Sequence, residues 1–264
     1  MGWYICSDYR GFGVMAVKTP VSPITKNSGD HNYGVDGKIV GLVHSATILN
    51  RRVRVLRDAI CSVLPRGARL QGVDIGCGNG ILGLSITELR PEITMSGVDV
   101  HVWPQTAIPV TKYDGSRLPF EDKCVDFAIL SDVLHHCESP RAVLKEAVRI
   151  SRKFVVIKDH LCEHSFDKAT LSFMDWFGNK GYGVALPYKY FSNAEWETIF
   201  AELGLKAEVT NTKLDLYPAP FNLLFDRKLH FVTRLAVEKR PSGVDRWLTM
   251  SKISQQLRVV SPMK

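Results

Sequence analysis

Residues 73–80 read VDIGCGNG. An apolar run ending in an acid passes into three glycines at alternate positions. That pattern predicts a buried strand delivering its carboxyl end into a tight turn. Glycines there let backbone approach a ligand closely, and let the following helix start hard against the strand. The dinucleotide fingerprint spaces its glycines G-x-G-x-x-G, whereas this turn reads G-x-G-x-G, so the turn alone leaves the ligand open.

Strand and helix signals alternate around this turn. LQGVDI predicts a strand and Asn79–Leu89 a helix stopped by Pro91. ITMSGVDV is a strand delivering Asp99, VTKYD a short strand and VDFAILS a further strand. Pro140–Ile150 predicts a helix, KFVVIKDH a strand and Asn193–Leu203 a helix. KAEVTNTKL and LHFVTRLAVEK are two strands with no helix between them, expected to pair antiparallel. Upstream, residues 45–64 place Ile48, Val53, Leu56, Ile60 and Leu64 on one side of an amphipathic helix. The alternation predicts an α/β fold: a Rossmann-like, doubly wound, mostly parallel seven-stranded sheet with the last strand antiparallel and helices on both faces.

The domain is expected to span 36–240, with lid-like insertions at about 160–192 and 214–228. Residues 1–35 are rich in Gly, Ser, Pro and Thr and read as a loosely docked arm, within which Met15 is a second candidate start. The chain of 264 residues carries 45% hydrophobic residues and no apolar run long enough to span a bilayer. Six cysteines without C-x-x-C spacing, and no signal-peptide pattern, fit a reduced, cytoplasmic setting. The net charge of +7 is matched by the segment Arg227–Lys264 alone, which has nine basic residues and two acids. A basic tail over 241–264 is either a solvated surface or attracts an anionic partner: lipid headgroups in a peripheral membrane contact, a phosphorylated substrate or nucleic acid.

Acids decide between cofactors. Asp74 sits inside the turn, where it would repel a pyrophosphate and welcome an amino group. Asp99 ends the next strand and can accept both ribose hydroxyls. Asp114, in YDGSRLPF, can meet an adenine amine. S-adenosylmethionine carries a ribose, an adenine, an ammonium and a sulfonium but no phosphate, and fits the three acids better than NAD.

Residues 68–160 resemble a class I S-adenosylmethionine-dependent methyltransferase of the small-molecule, methyltransferase type 11-like branch. VDIGCGNG is similar to its first motif, GVD (97–99) to its ribose-binding strand end, and DGSRLPFEDKCVDFAILSDVLHHCESPRAVLKEAVRI to its adenine-contacting and fourth-strand region. The resemblance implies cofactor contacts from Asp74, Gly76, Cys77, Gly78, Asp99, Val100, Asp114, Gly115, Ser131 and Asp132. Two departures stand out. Only fourteen residues, two of them prolines, separate Asp99 from Asp114, so the helix after the second strand is very short or missing. The usual glycine-rich turn before the fifth strand is replaced by SRKF.

Methyl transfer from a sulfonium is an in-line displacement that asks mainly for alignment. Hydroxyl acceptors also need a base. His160, at the end of the fifth strand, is the candidate general base, with Asp159 orienting it or contacting substrate. Of the pair His135–His136, one is expected to pack under the cofactor and His136 to face substrate. Trp176 and Tyr182, in FMDWFGNKGYG, are candidate walls of an acceptor pocket, although Phe173, Met174, Trp176 and Phe177 also read as the apolar face of a short helix. His135, His136, Cys137, His160, Cys162 and His164 are metal-type residues from adjacent strand ends, but no metal is expected: His160, Cys162 and His164 lack structural-zinc spacing, and methyl transfer needs none. The reading is methyl transfer to a small-molecule acceptor, amphiphilic if the apolar loop LYPAPFNLLF contributes. An RNA methyltransferase is disfavoured, because SDVLHH stands where a base-amine clamp would be and no nucleic-acid platform is present. A non-catalytic S-adenosylmethionine-binding protein is the other alternative.

Overall fold

A computed structural model describes residues 51–179 and 187–237. The expected arm, the basic tail over 241–264 and Tyr182 lie outside the described residues. Helix α1 (51–63) leads into β1 (Leu70–Ile75), α2 (Ile81–Leu89), β2 (Ile93–Asp99), β3 (Val110–Lys112) and β4 (Val125–Ser131). A 3₁₀ turn at Leu134–His136 precedes α3 (Pro140–Ile150), β5 (Ser151–His160), α4 (Ser165–Asn179) and α5 (Asn193–Glu202). The chain then forms β6 (Leu205–Asn211), the one-turn α6 (Asn222–Phe225) and β7 (His230–Val237).

The seven strands order as β3-β2-β1-β4-β5-β7-β6. β1 to β5 pair in parallel, and β7 runs antiparallel between β5 and β6. The order reverses between β1 and β4, which puts a crevice outside their carboxyl ends. β4 and β5 have apolar, buried centres, Phe127–Leu130 and Phe154–Ile157, because helices cover both faces. Leu56, Ile60 and Val63 of α1 pack with Ile86 of α2 on one face. Leu144, Ala147 and Ile150 of α3 pack with Trp196 and Ile199 of α5 on the other.

Local chemistry sets several boundaries. α2 starts at Ile81, two residues after its expected start, because Gly80 adopts φ 77 and the Asn79 side chain accepts the Ile81 N–H. α5 opens on a capping box: the Ser192 hydroxyl accepts from the Glu195 N–H, and the Glu195 carboxylate accepts from the Ser192 N–H. β6 stops at Asn211, short of its expected end, where the Asn211 side chain accepts the Lys213 N–H. Among the described residues no helix joins β2 to β3. Instead, Ala107 donates to the Asn79 carbonyl, and Ile108 packs so closely that a Cβ on Gly80 or Gly83 would meet it at 2.6 Å. The stretch after β6 is anchored in the core, since Leu214 and Leu216 are buried and Asp226 accepts the N–H groups of Leu216 and Tyr217.

Candidate active site

The glycine turn closes β1. Gly76, Gly78 and Gly80 all have positive φ, which disfavours side chains. Their surroundings differ. A Cβ on Gly76 would collide with Val133 and one on Gly80 with Ile108, both at 2.6 Å, whereas one on Gly78 would meet nothing within 4 Å. Gly78 is therefore where backbone lies open to a ligand, and the other two are small because protein packs on them. Cys77 turns inward over Gly97.

Asp99 supports the turn from β2. One of its oxygens accepts the Gly78 N–H at 2.7 Å and the other the His101 N–H at 3.0 Å. Each carboxylate oxygen has further acceptor capacity for a hydroxyl. Asp74 is 2% exposed, and burial, reinforced by the charge of Asp99, pushes its carboxyl up to about 7. A buried acid beside a second acid is a site that a cation would stabilise. Asp114 is exposed and closes its own turn, accepting from Ser116 and Arg117, and these bonds hold its carboxyl below its ordinary value. Gly115 lies against Val100, which is half exposed.

The ends of β4 and β5 are built differently. Asp132 adopts φ 57 just after Ser131. It is gripped by the buried Lys158 ammonium and by Arg52 of α1 at 2.6 Å, so its carboxyl stays well below the ordinary range despite burial. Asp159 is fully buried, and its Oδ1 accepts from His135 Nδ1 at 2.7 Å and from the His160 N–H at 2.8 Å. The His160 Nδ1 is 3.9 Å from it, beyond hydrogen-bond reach. Asp159 thus orients His135, a correction to the expected pairing with the His160 ring.

His160 is 3% exposed and its Nδ1 has no hydrogen-bond partner. Burial, with His135, Lys158 and His230 nearby, holds it well below the ordinary histidine value, so it is neutral. It stacks on His135 at 4.4 Å and Tyr190 at 5.8 Å. Asp175 of α4 accepts from the Tyr190 hydroxyl and lies 3.6 Å from His135 Nε2 and 3.7 Å from His160 Nε2. Of the adjacent pair, His135 is buried and His136 half-buried. Trp176 is 47% exposed, and Phe173 and Phe177 beside it are more so, so this face of α4 is not packed into the core.

Sequence reasoning gave Asp175, Lys158, Tyr190 and Arg52 no role and named His135 only as one of a pair. An acid at position 175 in an otherwise apolar helix stretch, and a lysine inside a buried strand, were the available signals. Among the described residues no helix is long and apolar enough to cross a membrane. The described cysteines carry no disulfide. At the start of the basic segment, Arg227 faces Asp167 and the Phe166 ring, and Arg234 pairs with Glu208.

Residues 73–155 match the family model described as a methyltransferase domain. None of the curated proteins matches the chain. Solved structures share the fold. One is a chain of the Haloferax volcanii complex with the Trm112 methyltransferase activator: 15% identity, TM-score 0.57, 80% of this chain and 100% of that one covered. A Thermotoga maritima S-adenosylmethionine-dependent methyltransferase, described as a possible histamine N-methyltransferase, has 19% identity and TM-score 0.54, with 77% and 98% covered. An S-adenosylmethionine-dependent methyltransferase from Mesorhizobium loti has 16% identity and TM-score 0.50, with 68% and 96% covered.

Proposed function

We propose that the chain is a class I S-adenosylmethionine-dependent methyltransferase of the type 11-like branch, a reading supported by the methyltransferase-domain match over 73–155, and that it methylates a small molecule held at the ends of β4 and β5. The observation that carries this reading is the buried cluster of His135, Asp159, His160 and Asp175, one strand away from the glycine turn. S-adenosylmethionine supplies an activated methyl group on a sulfonium whose leaving group departs neutral.

The residues of the turn fit that cofactor. Asp74 is a buried acid with an elevated pKa, suited to an ammonium. Asp99 is braced by two backbone N–H groups and turned to the same loop, suited to the ribose hydroxyls. Gly76, Cys77 and Gly78 form the loop, and Gly78 is open to solvent space. Val100, Asp114 and Gly115 would border the adenine, with Ser131 and Asp132 on the far side of the crevice.

On the acceptor side, His160 is the proposed general base: its Nδ1 has no hydrogen-bond partner, burial holds the imidazole neutral, and Asp132 at 3.7 Å would stabilise the imidazolium formed when it takes the acceptor proton. Asp159 acts through His135 as a positioning residue. His136, Trp176 and Tyr182 would contact the acceptor. The exposed Phe173, Trp176 and Phe177 of α4, with Phe221 and Leu223 at α6, favour an acceptor with an apolar part, or a membrane surface presenting one. An RNA acceptor has less support, since SDVLHH stands after the fourth strand where a base-amine clamp would be.

The deciding experiment incubates the full-length protein with cell extract and a cofactor bearing a deuterated methyl group. A labelled small molecule is expected by mass spectrometry. Label appearing only in RNA would overturn the reading.

A further inference from the structure

Among the described residues, two sets of three side chains near the ends of β4 and β5 bring ligating atoms within 4.8 Å of one another: Asp132, His135 and His160, and His135, His136 and Asp175 of α4. The first set is already filled. Asp132 is neutralised by the Lys158 ammonium and the Arg52 guanidinium, and a metal ion there would face both.

The second set has the chemistry of a metal centre. Two imidazoles and one carboxylate suit zinc-like divalent cations, whereas calcium and magnesium prefer all-oxygen shells. His135 Nε2 stands 3.6 Å from Asp175 Oδ2, too far for a hydrogen bond. It is close to the separation of roughly 3.3–3.6 Å between neighbouring tetrahedral ligands bonded at about 2.0–2.2 Å. Behind it, His135 Nδ1 is held by Asp159 at 2.7 Å. A carboxylate fixing the far nitrogen of a ligating histidine is the usual outer support of such a centre, because it sets the tautomer that leaves Nε2 for the ion. Among the described residues, three carboxylates, Asp132, Asp159 and Asp175, stand at this end of the sheet with Lys158 and Arg52.

We propose that His135, His136 and Asp175 bind one zinc-type divalent cation, with Asp159 orienting His135 from outside the coordination sphere. His136, half-buried, opens this centre toward solvent. The cation would take an acceptor bearing a ligating oxygen, such as a phenol, enol or hydroxy acid. That last clause rests on the methyltransferase reading; the ion itself does not. The expectation of no metal weighed His135, His136, Cys137, His160, Cys162 and His164; the fold joins two of these histidines to Asp175, which was not among them.

The test titrates chelator-stripped full-length protein with Zn²⁺ by calorimetry, and with Co²⁺ by visible absorption. One equivalent is expected, with a cobalt spectrum free of sulfur charge-transfer bands. His136→Ala and Asp175→Asn should each weaken Zn²⁺ more than about 100-fold. Asp159→Asn should weaken it by roughly 10–100-fold, as an outer-shell change does. Circular dichroism confirms that each variant is folded. Absence of stoichiometric binding overturns the proposal, as does sulfur ligation of cobalt or unchanged affinity in folded His136→Ala and Asp175→Asn. S-adenosylmethionine binding, measured on the same stripped protein, separates the two readings. If the cofactor fails to bind while Zn²⁺ does, the methyltransferase reading falls and the metal centre stands.

Discussion

Two neighbouring halves of one crevice are assembled by opposite means. Around β1 to β3 the contacts join backbone to carboxylates: Gly78 to Asp99, His101 to Asp99, Ser116 to Asp114. At β4 and β5 they join side chains distant in the chain: Arg52 to Asp132, His135 to Asp159, Tyr190 to Asp175. The first half needs only a turn of the right shape and can grip a fixed ligand. The second holds several buried charges in balance, so each member depends on the others. Removing a residue should therefore weaken binding in the first half and disturb folding or turnover in the second.

The largest expected effect is Asp132→Ala. It strands the fully buried Lys158 without its counter-ion and should cost about 3–5 kcal/mol of stability, read by calorimetric unfolding. A loss below about 1 kcal/mol would break the contrast. Next, His160→Ala should lower kcat about 100-fold, the low end of general-base contributions, with S-adenosylmethionine affinity unchanged. A matching loss of cofactor affinity would move His160 into the cofactor half. Asp99→Ala should weaken cofactor binding by about 1–3 kcal/mol, the cost of unpaired polar groups, as seen by titration calorimetry. Unchanged affinity would remove the ribose from β2.

The fourth effect is a pH dependence. Asp74 is raised from its ordinary 3.8 to about 7, so between those values the folded state holds a proton that the unfolded chain has lost. Stability of the cofactor-free protein should therefore fall as pH rises through that window. An ammonium beside Asp74 favours the carboxylate. Cofactor binding should then strengthen from acid to neutral pH and release a proton, detectable by calorimetry in buffers of different ionisation enthalpy. Proton uptake instead would place the ammonium elsewhere. The smallest effect is Ser192→Ala, which removes one side of the α5 capping box and should cost about 1 kcal/mol in thermal unfolding.

The same contrast explains what was legible beforehand. The sheet, its antiparallel last strand and the glycine turn were readable because period, turn chemistry and strand-end acids are local signals. The direct β2–β3 connection was readable from two prolines in fourteen residues. The partner of Asp159 was not, since adjacency favoured His160 while the fold supplied His135 from the end of β4. Nor did glycine spacing distinguish Gly78, which lies open, from Gly76, which carries Val133. Asp175 gained its meaning only when α4 carried it to Tyr190 and the histidines.

Arg52 extends this difference to the question of where the working unit begins and ends. The segment shared with the family model, 73–155, contains the glycine turn, Asp99, Asp114 and both histidines of the 134–136 turn. It excludes Arg52, Lys158, Asp159, His160, Asp175 and Tyr190, which balance and complete the other half. A protein trimmed to the shared segment would inherit the common cofactor machinery and lose what individualises the chain. Arg52, Lys158 and Asp159 reach back to Asp132 and His135 inside that segment, so a chimera that exchanges α1 or the region after residue 155 should keep its stability only if the facing charges are carried with it.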